Sequence, residues 1–198
     1  MELFDTICGR RSIRAFTDRE VPEEMVRAVI EAGMQAPSSK NRQPWHFTIV
    51  RGASKAGMLS RMEQGILREQ TGVSRLPGSA RHLAGAEYTA AIMKQAPVTI
   101  FISNPLGLDL SEPLDMEQRF YEMANLQSVG AAIQNMSLAA HALGIGSLWI
   151  CDIYFAYEEL QSWIGGQGQL AAALSLGYPD ESPGKRPRRK LEDIVRWI

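Results

Sequence analysis

The sequence predicts a single mixed domain of helices and strands, and three observations carry that expectation. Four short apolar runs have strand character, at residues 46–51, 98–102, 147–150 and 170–176. A much longer stretch, 116–143, repeats its apolar residues at helical spacing and is apolar on several sides. The chain has 198 residues, 45% hydrophobic and 22% charged, an ordinary globular balance for one domain over 1–198. A chain of this size buries roughly 70% of its unfolded surface, enough for a self-sufficient core.

Taken in order, residues 2–9 suit a short helix ending near Gly9, followed by a basic loop from Arg10 to Arg14. A second helix starts at Pro22, which is pre-organised for a first turn, with Glu23 and Glu24 favourable at its positive end. Met25, Val26, Val29, Ile30 and Gly33 give that helix one buried face. The polar loop 36–44 carries a proline near each end, and His46 to Arg51 alternates as a strand. Residues 52–90 are punctuated by Gly65, Gly72, Pro77, Gly78 and Gly85, which predicts an irregular flap with helical pieces. Val98 to Ile102 is the clearest buried strand. In the long helix, Val129, Ile133, Met136, Ala140 and Leu143 step by four and three, and Gly144 suits a left-handed stop. A strand at 147–150, a helix at 156–164 and a strand at 170–176 follow, and then an extended tail over 178–198 rich in proline and glycine.

The formal net charge is −1, which argues against a nucleic-acid-binding domain, since these are strongly basic. Charge is nevertheless uneven: Lys185, Arg186, Arg188, Arg189 and Lys190 crowd the tail, and Arg10, Arg11, Arg14 and Arg19 the N-terminal region. Cys8 and Cys151 are the only cysteines, with neither metal-ligand spacing nor a disulfide framework. The longest apolar stretch, around 129–150, is interrupted by Gln134, Asn135 and His141, and no signal-peptide pattern opens the chain. The expectation is a cytoplasmic protein without membrane or nucleic-acid partners.

No phosphate-cradling Walker loop, dinucleotide fingerprint, nucleophile elbow or metal-spaced histidine set is present. Such a chain is still an enzyme if a cofactor performs the hard step. Arg10-Arg11-Ser12-Ile13-Arg14 gathers three guanidinia and a hydroxyl, a donor set matched to phosphate oxygens; alone it reads first as a solvated basic turn. Pro37-Ser38-Ser39-Lys40-Asn41-Arg42-Gln43-Pro44-Trp45 offers hydroxyls and amides for the edge of a polar ring, or simply connects a helix to a strand. Gly144-Ile145-Gly146 turns tightly into Ser147-Leu148-Trp149-Ile150, although a helix stop needs only the first glycine. In the tail, Arg186 and Arg188 share one side of an extended chain, where side chains alternate. They either complete a phosphate clamp begun by Arg10 or belong to a basic extension.

These four segments, in this order, resemble the FMN-dependent nitroreductase family. The resemblance rests on Arg10-Arg11-Ser12-Ile13-Arg14-Ala15-Phe16, on the block from Ala36 to Phe47, on Gly144 to Ile150, and on Leu176 to Pro179 with Arg186-Pro187-Arg188 and Leu191 to Val195. It runs from Arg10 to Val195, except over 52–90. It implies an α+β fold, with a mixed central sheet flanked by helices around the long helix, and an intertwined homodimer with FMN at the interface. Carried over by position, Arg10, Arg11, Ser12 and Arg14 bind the phosphate, ribityl and pyrimidine end of FMN, and Arg186 and Arg188 the phosphate. Pro37, Ser38 and Ser39 contact the flavin from the partner subunit, supported by Asn41 and Gln43. Backbone groups of Ser147, Leu148, Trp149, Ile150 and Cys151 lie along the ring near N5.

The chain departs from the family at Cys151-Asp152, where glycine or glutamate–glycine is common, and at Arg189-Lys190. Cys151 reads as a small buried residue. The implied chemistry is hydride transfer from NADH or NADPH through flavin N5 to a small acceptor of the nitroaromatic, quinone or enone type. Donor and acceptor use one slot in turn, with no catalytic side chain and no metal. The rival reading is a flavin-binding carrier or regulatory protein without turnover.

Overall fold

Four strands form one sheet in the order β1-β2-β4-β3: β1 His46–Arg51, β2 Val98–Asn104, β3 Gly146–Ile150 and β4 Gln169–Gly177. The computed structural model describes residues 2–72, 74–109, 112–166 and 168–198. All three strand pairings are antiparallel. Among the described residues parallel character enters only at an isolated bridge between Ser12 and Ser147, so the expected mixed sheet is antiparallel in its four strands and mixed where the N-terminal arm joins. Central β2 and β4 are buried along their whole length. Burial on both faces explains why Val98 to Ile102 is apolar without alternation.

The sheet separates two apolar layers. Val98, Ile100, Ile102, Leu174 and Leu176 face α2 (Glu23–Met34) and α5 (Met116–Ala142). Phe101, Ala173, Leu148, Ile150 and Val50 face α3 (Ser54–Gln70), α4 (Leu83–Gln95) and α6 (Tyr157–Ile164). On that second face Thr99 Oγ1 and Ser175 Oγ pair across the strands at 3.1 Å, so two buried hydroxyls satisfy each other.

Long helix α5 opens on a capping box. The Gln118 N–H donates to Asp115 Oδ1 at 2.8 Å, and the Asp115 N–H donates to Gln118 Oε1 at 2.9 Å. Its predicted stripe is buried at Val129, Ile133, Met136 and Ala140, whereas Leu143 is exposed beyond the helix end. Gly144, at φ 75°, makes the left-handed stop. Gly33 of α2 meets α5 so closely that a Cβ there would lie 2.6 Å from Met136 Cγ.

The region 52–90 departs from expectation. It is mostly the uninterrupted helix α3, a 3-10 turn at Pro77–His82 and the start of α4, not an irregular flap. The two glycines inside α3 are contact points and not breaks: a Cβ on Gly65 would collide with Ala156, and one on Gly57 would lie 3.0 Å from Trp163 Nε1. The turn after α3 is held by buried Glu69, which accepts from Ser74 Oγ at 2.5 Å and from the backbone N–H groups of Arg75 and Leu76 at 3.0 and 3.1 Å. Beside it, Arg68 pairs with both Glu69 and Glu159, tying α3 to α6. The tail after Tyr178 is extended up to a short turn at Leu191–Asp193.

Candidate functional site

Two chain segments far apart in sequence are laid side by side on the sheet. The N-terminal arm leaves α1 (Leu3–Gly9) and crosses β3, where the Ile13 N–H donates to the Ser147 carbonyl at 3.0 Å and Ile13 is buried. Gly146 permits that crossing, since a Cβ would sit 2.9 Å from Ile13 Cγ1. This accounts for the second glycine of Gly144-Ile145-Gly146, which a helix stop does not need. The arm then pairs with the start of the tail. Phe16 and Pro179 form an antiparallel bridge, the Thr17 N–H donates to the Tyr178 carbonyl, and the Asp180 N–H donates to the Ala15 carbonyl, both at 2.9 Å. The Glu181 carboxylate accepts the backbone N–H groups of Arg14 and Ala15.

That pairing brings the two arginine groups together. A cavity of about 310 Å³ is lined by Arg10, Arg11, Ser12 and Arg14 from the arm and by Lys185, Arg186 and Arg188 from the tail. A second cavity, of about 430 Å³, shares Arg11 with it and extends under His141 and Gly144 to Ser147. Among the described residues, none of the four side chains Arg10, Arg14, Arg186 and Arg188 forms an ion pair with a carboxylate. Arg11 differs: its Nη1 donates to the carbonyls of Cys8, Gly9 and Arg10 at 2.8, 3.0 and 2.9 Å, closing the negative end of α1. The Arg14 and Arg188 guanidinia make only long local contacts, of 3.2 to 3.4 Å, to nearby carbonyls. His141 reports the same positive field. Burial, then Arg10 and Arg11, push its imidazole below the ordinary histidine range, which keeps it neutral. Cations gathered without carboxylate partners fit a phosphate group, which supplies charge and oxygens together.

The second predicted segment lies elsewhere. Pro37 is exposed, Ser38 and Ser39 are half-buried, and Asn41 and Gln43 are exposed. Lys40, Asn41 and Gln43 have φ of 52°, 53° and 49°, a left-handed run that needs outside support. The Gln43 N–H donates to Ser38 Oγ at 3.0 Å, Gln43 Nε2 donates to Asn41 Oδ1 at 3.4 Å, and the Ser39 N–H donates to Ser128 Oγ of α5 at 3.3 Å. Arg42 stacks on the Tyr121 ring, 4.3 Å from its centroid. Ser128 and His141 are separated along α5 by roughly 20 Å, at about 1.5 Å per residue. Within one chain, then, this loop and the arginine cleft do not meet.

The third segment borders the cleft. Ser147, Leu148 and Ile150 are buried and Trp149 is 42% exposed. Their strand is an edge whose backbone pairs with β4 on one side and receives Ile13 at Ser147 on the other. Cys151, expected as a buried residue, is exposed at the strand's end. Partial burial of its sulfur and then the charge of Asp152 push the thiol up, so it stays protonated near neutrality. Glu181 and His141 were not legible as site residues, because a lone charge in a tail and a lone histidine on a helix carry no pattern. Among the described residues no helix is long and apolar enough to cross a membrane.

The Nitroreductase family profile matches residues 7–178. A protein of Methanothermobacter thermautotrophicus, provisionally named NADH dehydrogenase/NAD(P)H nitroreductase, is 31% identical over 195 residues, covering 94% of this chain and 82% of that protein. A Desulfovibrio desulfuricans structure in complex with FMN, provisionally called a nitroreductase, superposes with a TM-score of 0.72 at 29% identity, covering 100% of this chain and 97% of the other. The NADPH:FMN oxidoreductase of Vibrio harveyi, complexed with NAD+, shares the fold at a TM-score of 0.72 and 20% identity, over 98% and 76% of the two chains.

Proposed function

Because this chain belongs to the Nitroreductase family, we propose that it is an FMN-dependent oxidoreductase drawing on NADH or NADPH and acting on a small nitroaromatic, quinone or enone acceptor. When bound, the flavin would take hydride at N5 from the nicotinamide and pass reducing equivalents to the acceptor. The protein's own share is placement and electrostatics. Arg10, Arg186 and Arg188 grip the phosphate, Ser12 and Arg11 border the ribityl chain, and Arg14 stabilises negative charge at the pyrimidine edge. Backbone groups from Ser147 to Cys151 border the ring. No side chain acts as general acid, and Cys151, held as a thiol, takes no part.

The observation that carries this reading is the convergence of arginines from both chain ends on one cavity without carboxylate partners. The FMN held by the Desulfovibrio protein supports it. We propose further that the working unit is a homodimer in which loop 37–43 reaches the partner's flavin. The separation of loop from cleft within one chain supports this, as do exposed apolar residues: Phe4 at 77%, Phe120 at 61% and Trp197 at 89%.

The test is direct. Purified protein should be yellow and bleach on addition of NADH or NADPH, then recolour with a quinone or nitroaromatic. Parallel double-reciprocal lines should show the two substrates using the site in turn. Flavin that stays oxidised under both nicotinamides would instead make this a carrier without turnover.

A further inference from the structure

Away from the arginine cleft, a second group of polar residues is buried at the junction of β2, β4 and the first turns of α5. Asn104 is fully buried, and Asn125, Gln169 and Glu122 are 2%, 5% and 7% exposed. Four atoms of these side chains, Asn104 Nδ2, Glu122 Oε2, Asn125 Oδ1 and Gln169 Oε1, have no hydrogen-bond partner among the described residues. Buried polar atoms are nearly always paired, because losing water without a replacement costs the full desolvation of the group. One orphan in a protein is unremarkable. Four on neighbouring residues point to something that belongs between them.

Three of the four are tied together by contacts, and Asn125 joins them by its place on α5. Asn104 and Gln169 are cross-strand partners at the ends of β2 and β4. A Cβ on Gly107 would lie 2.5 Å from Gln169 Cβ and 3.1 Å from Asn104 Nδ2, so the chain after β2 folds tightly over this pair. The next residue, Leu108, donates its N–H to Glu122 Oε1 at 3.2 Å, bringing α5 to the same place. Asn125 follows Glu122 by three residues on one helix face. Tyr157 closes the group, for its phenol interacts with the backbone of Leu170 and feels the charges of Asp109 and Glu122.

The chemistry of the orphans selects the occupant. Three are oxygens, one anionic and two amide, from two elements that would otherwise present them to nothing. Hard, oxygen-only sets suit sodium, potassium, calcium or magnesium and not a transition metal. Of the three orphan oxygens one is anionic and two are neutral amides, a set poorer in carboxylate than calcium sites use, which favours a monovalent ion. The orphan donor, Asn104 Nδ2, lies beside Gln169 and would support its amide oxygen. We propose that Glu122, Asn125 and Gln169 bind an alkali-metal ion, sodium or potassium, which pins the chain after β2 to α5. This site is separate from the chemistry proposed above and does not depend on it.

The experiment compares the thermal midpoint of the purified, flavin-containing protein in sodium, potassium and choline chloride at one ionic strength. A saturable rise of several degrees in sodium or potassium over choline is expected, and Glu122→Gln should abolish that difference while leaving flavin content unchanged. Because a buried substitution sometimes prevents folding, wild-type crystals soaked in thallium(I), a potassium mimic, provide an independent readout. An anomalous peak between Glu122, Asn125 and Gln169 is expected. Equal midpoints in the three salts, with no thallium at this position, would mean that water fills the cluster and would overturn the proposal.

Discussion

The arginine cleft and the loop from Pro37 to Gln43 are both polar, and both were singled out as cofactor-binding segments, yet they are built differently. The cleft is assembled within one chain. Backbone pairing of Ala15–Thr17 with Tyr178–Asp180, and of Ile13 with Ser147, carries the two basic segments to a common cavity. The loop is also well held, by Ser38, Ser128 and the stack of Arg42 on Tyr121, but it lies roughly 20 Å from that cavity along α5. Among the described residues the cleft gathers cations without carboxylate partners, whereas the loop is a held scaffold apart from them. Under the proposed homodimer the left-handed residues Lys40, Asn41 and Gln43 would serve the second copy.

The comparison breaks most sharply at the cleft. Arg10→Ala with Arg188→Ala should weaken FMN binding by at least 100-fold, since two charge-assisted hydrogen bonds contribute roughly 1.5–3 kcal/mol each. Flavin fluorescence titration measures this, and circular dichroism should show the fold intact. Retained affinity would move the phosphate away from the cleft. Mixed dimers sharpen the test. A subunit carrying those two substitutions, combined with one carrying substitutions at Ser38 and Ser39, leaves one arm–loop combination intact if the loop acts across the dimer. The one flavin retained per mixed dimer should show the wild-type acceptor KM, and a raised KM if the loop serves its own chain.

A smaller effect separates two adjacent glycines. Gly146→Val should push Ile13 off β3, costing about 1–3 kcal/mol by overpacking and loosening flavin with it. Gly144→Ala, two residues earlier at φ 75° with nothing within 4 Å, should cost about 1–2 kcal/mol of stability but leave flavin affinity unchanged. Denaturant melts beside flavin titrations distinguish the two; equal loss of flavin in both would mean that the arm crossing is not specific to Gly146. The smallest effect belongs to the loop. Ser38→Ala removes the acceptor for the Gln43 N–H and should cost about 1 kcal/mol, seen as an increase of several-fold in the acceptor KM with the cleft's grip on phosphate unchanged.

Much of the fold was legible because apolar periodicity reports burial. The four strands and the long helix lie within two residues of the predicted bounds, the scatter usual at element ends. The region 52–90 misled because Gly65 looks like a breaker in sequence, whereas in space it is where α3 touches Ala156. Punctuation and close packing call for the same residue, and only the neighbour tells them apart. The capping box of α5 has a spacing that the sequence carries, Asp115-x-x-Gln118. Cys151 was expected inside because small thiols usually are, yet it falls where β3 ends and the surface begins.

By itself the sequence determined the chemistry on offer: guanidinia at both ends, a loop of hydroxyls and amides, a glycine turn into a strand, and enough apolar pattern to bury a two-layered core. These are local properties, set by side-chain type and by periods of two and 3.6 residues. The tertiary structure alone decided which of them meet. Arg10 and Arg188 share a cavity because backbone pairing over a long sequence separation overcomes loop entropy, which no local pattern encodes. Asn104, Glu122, Asn125 and Gln169 become one polar cluster for the same reason: each is an ordinary surface residue in sequence, and only the sheet and the helix closing over them take their water away.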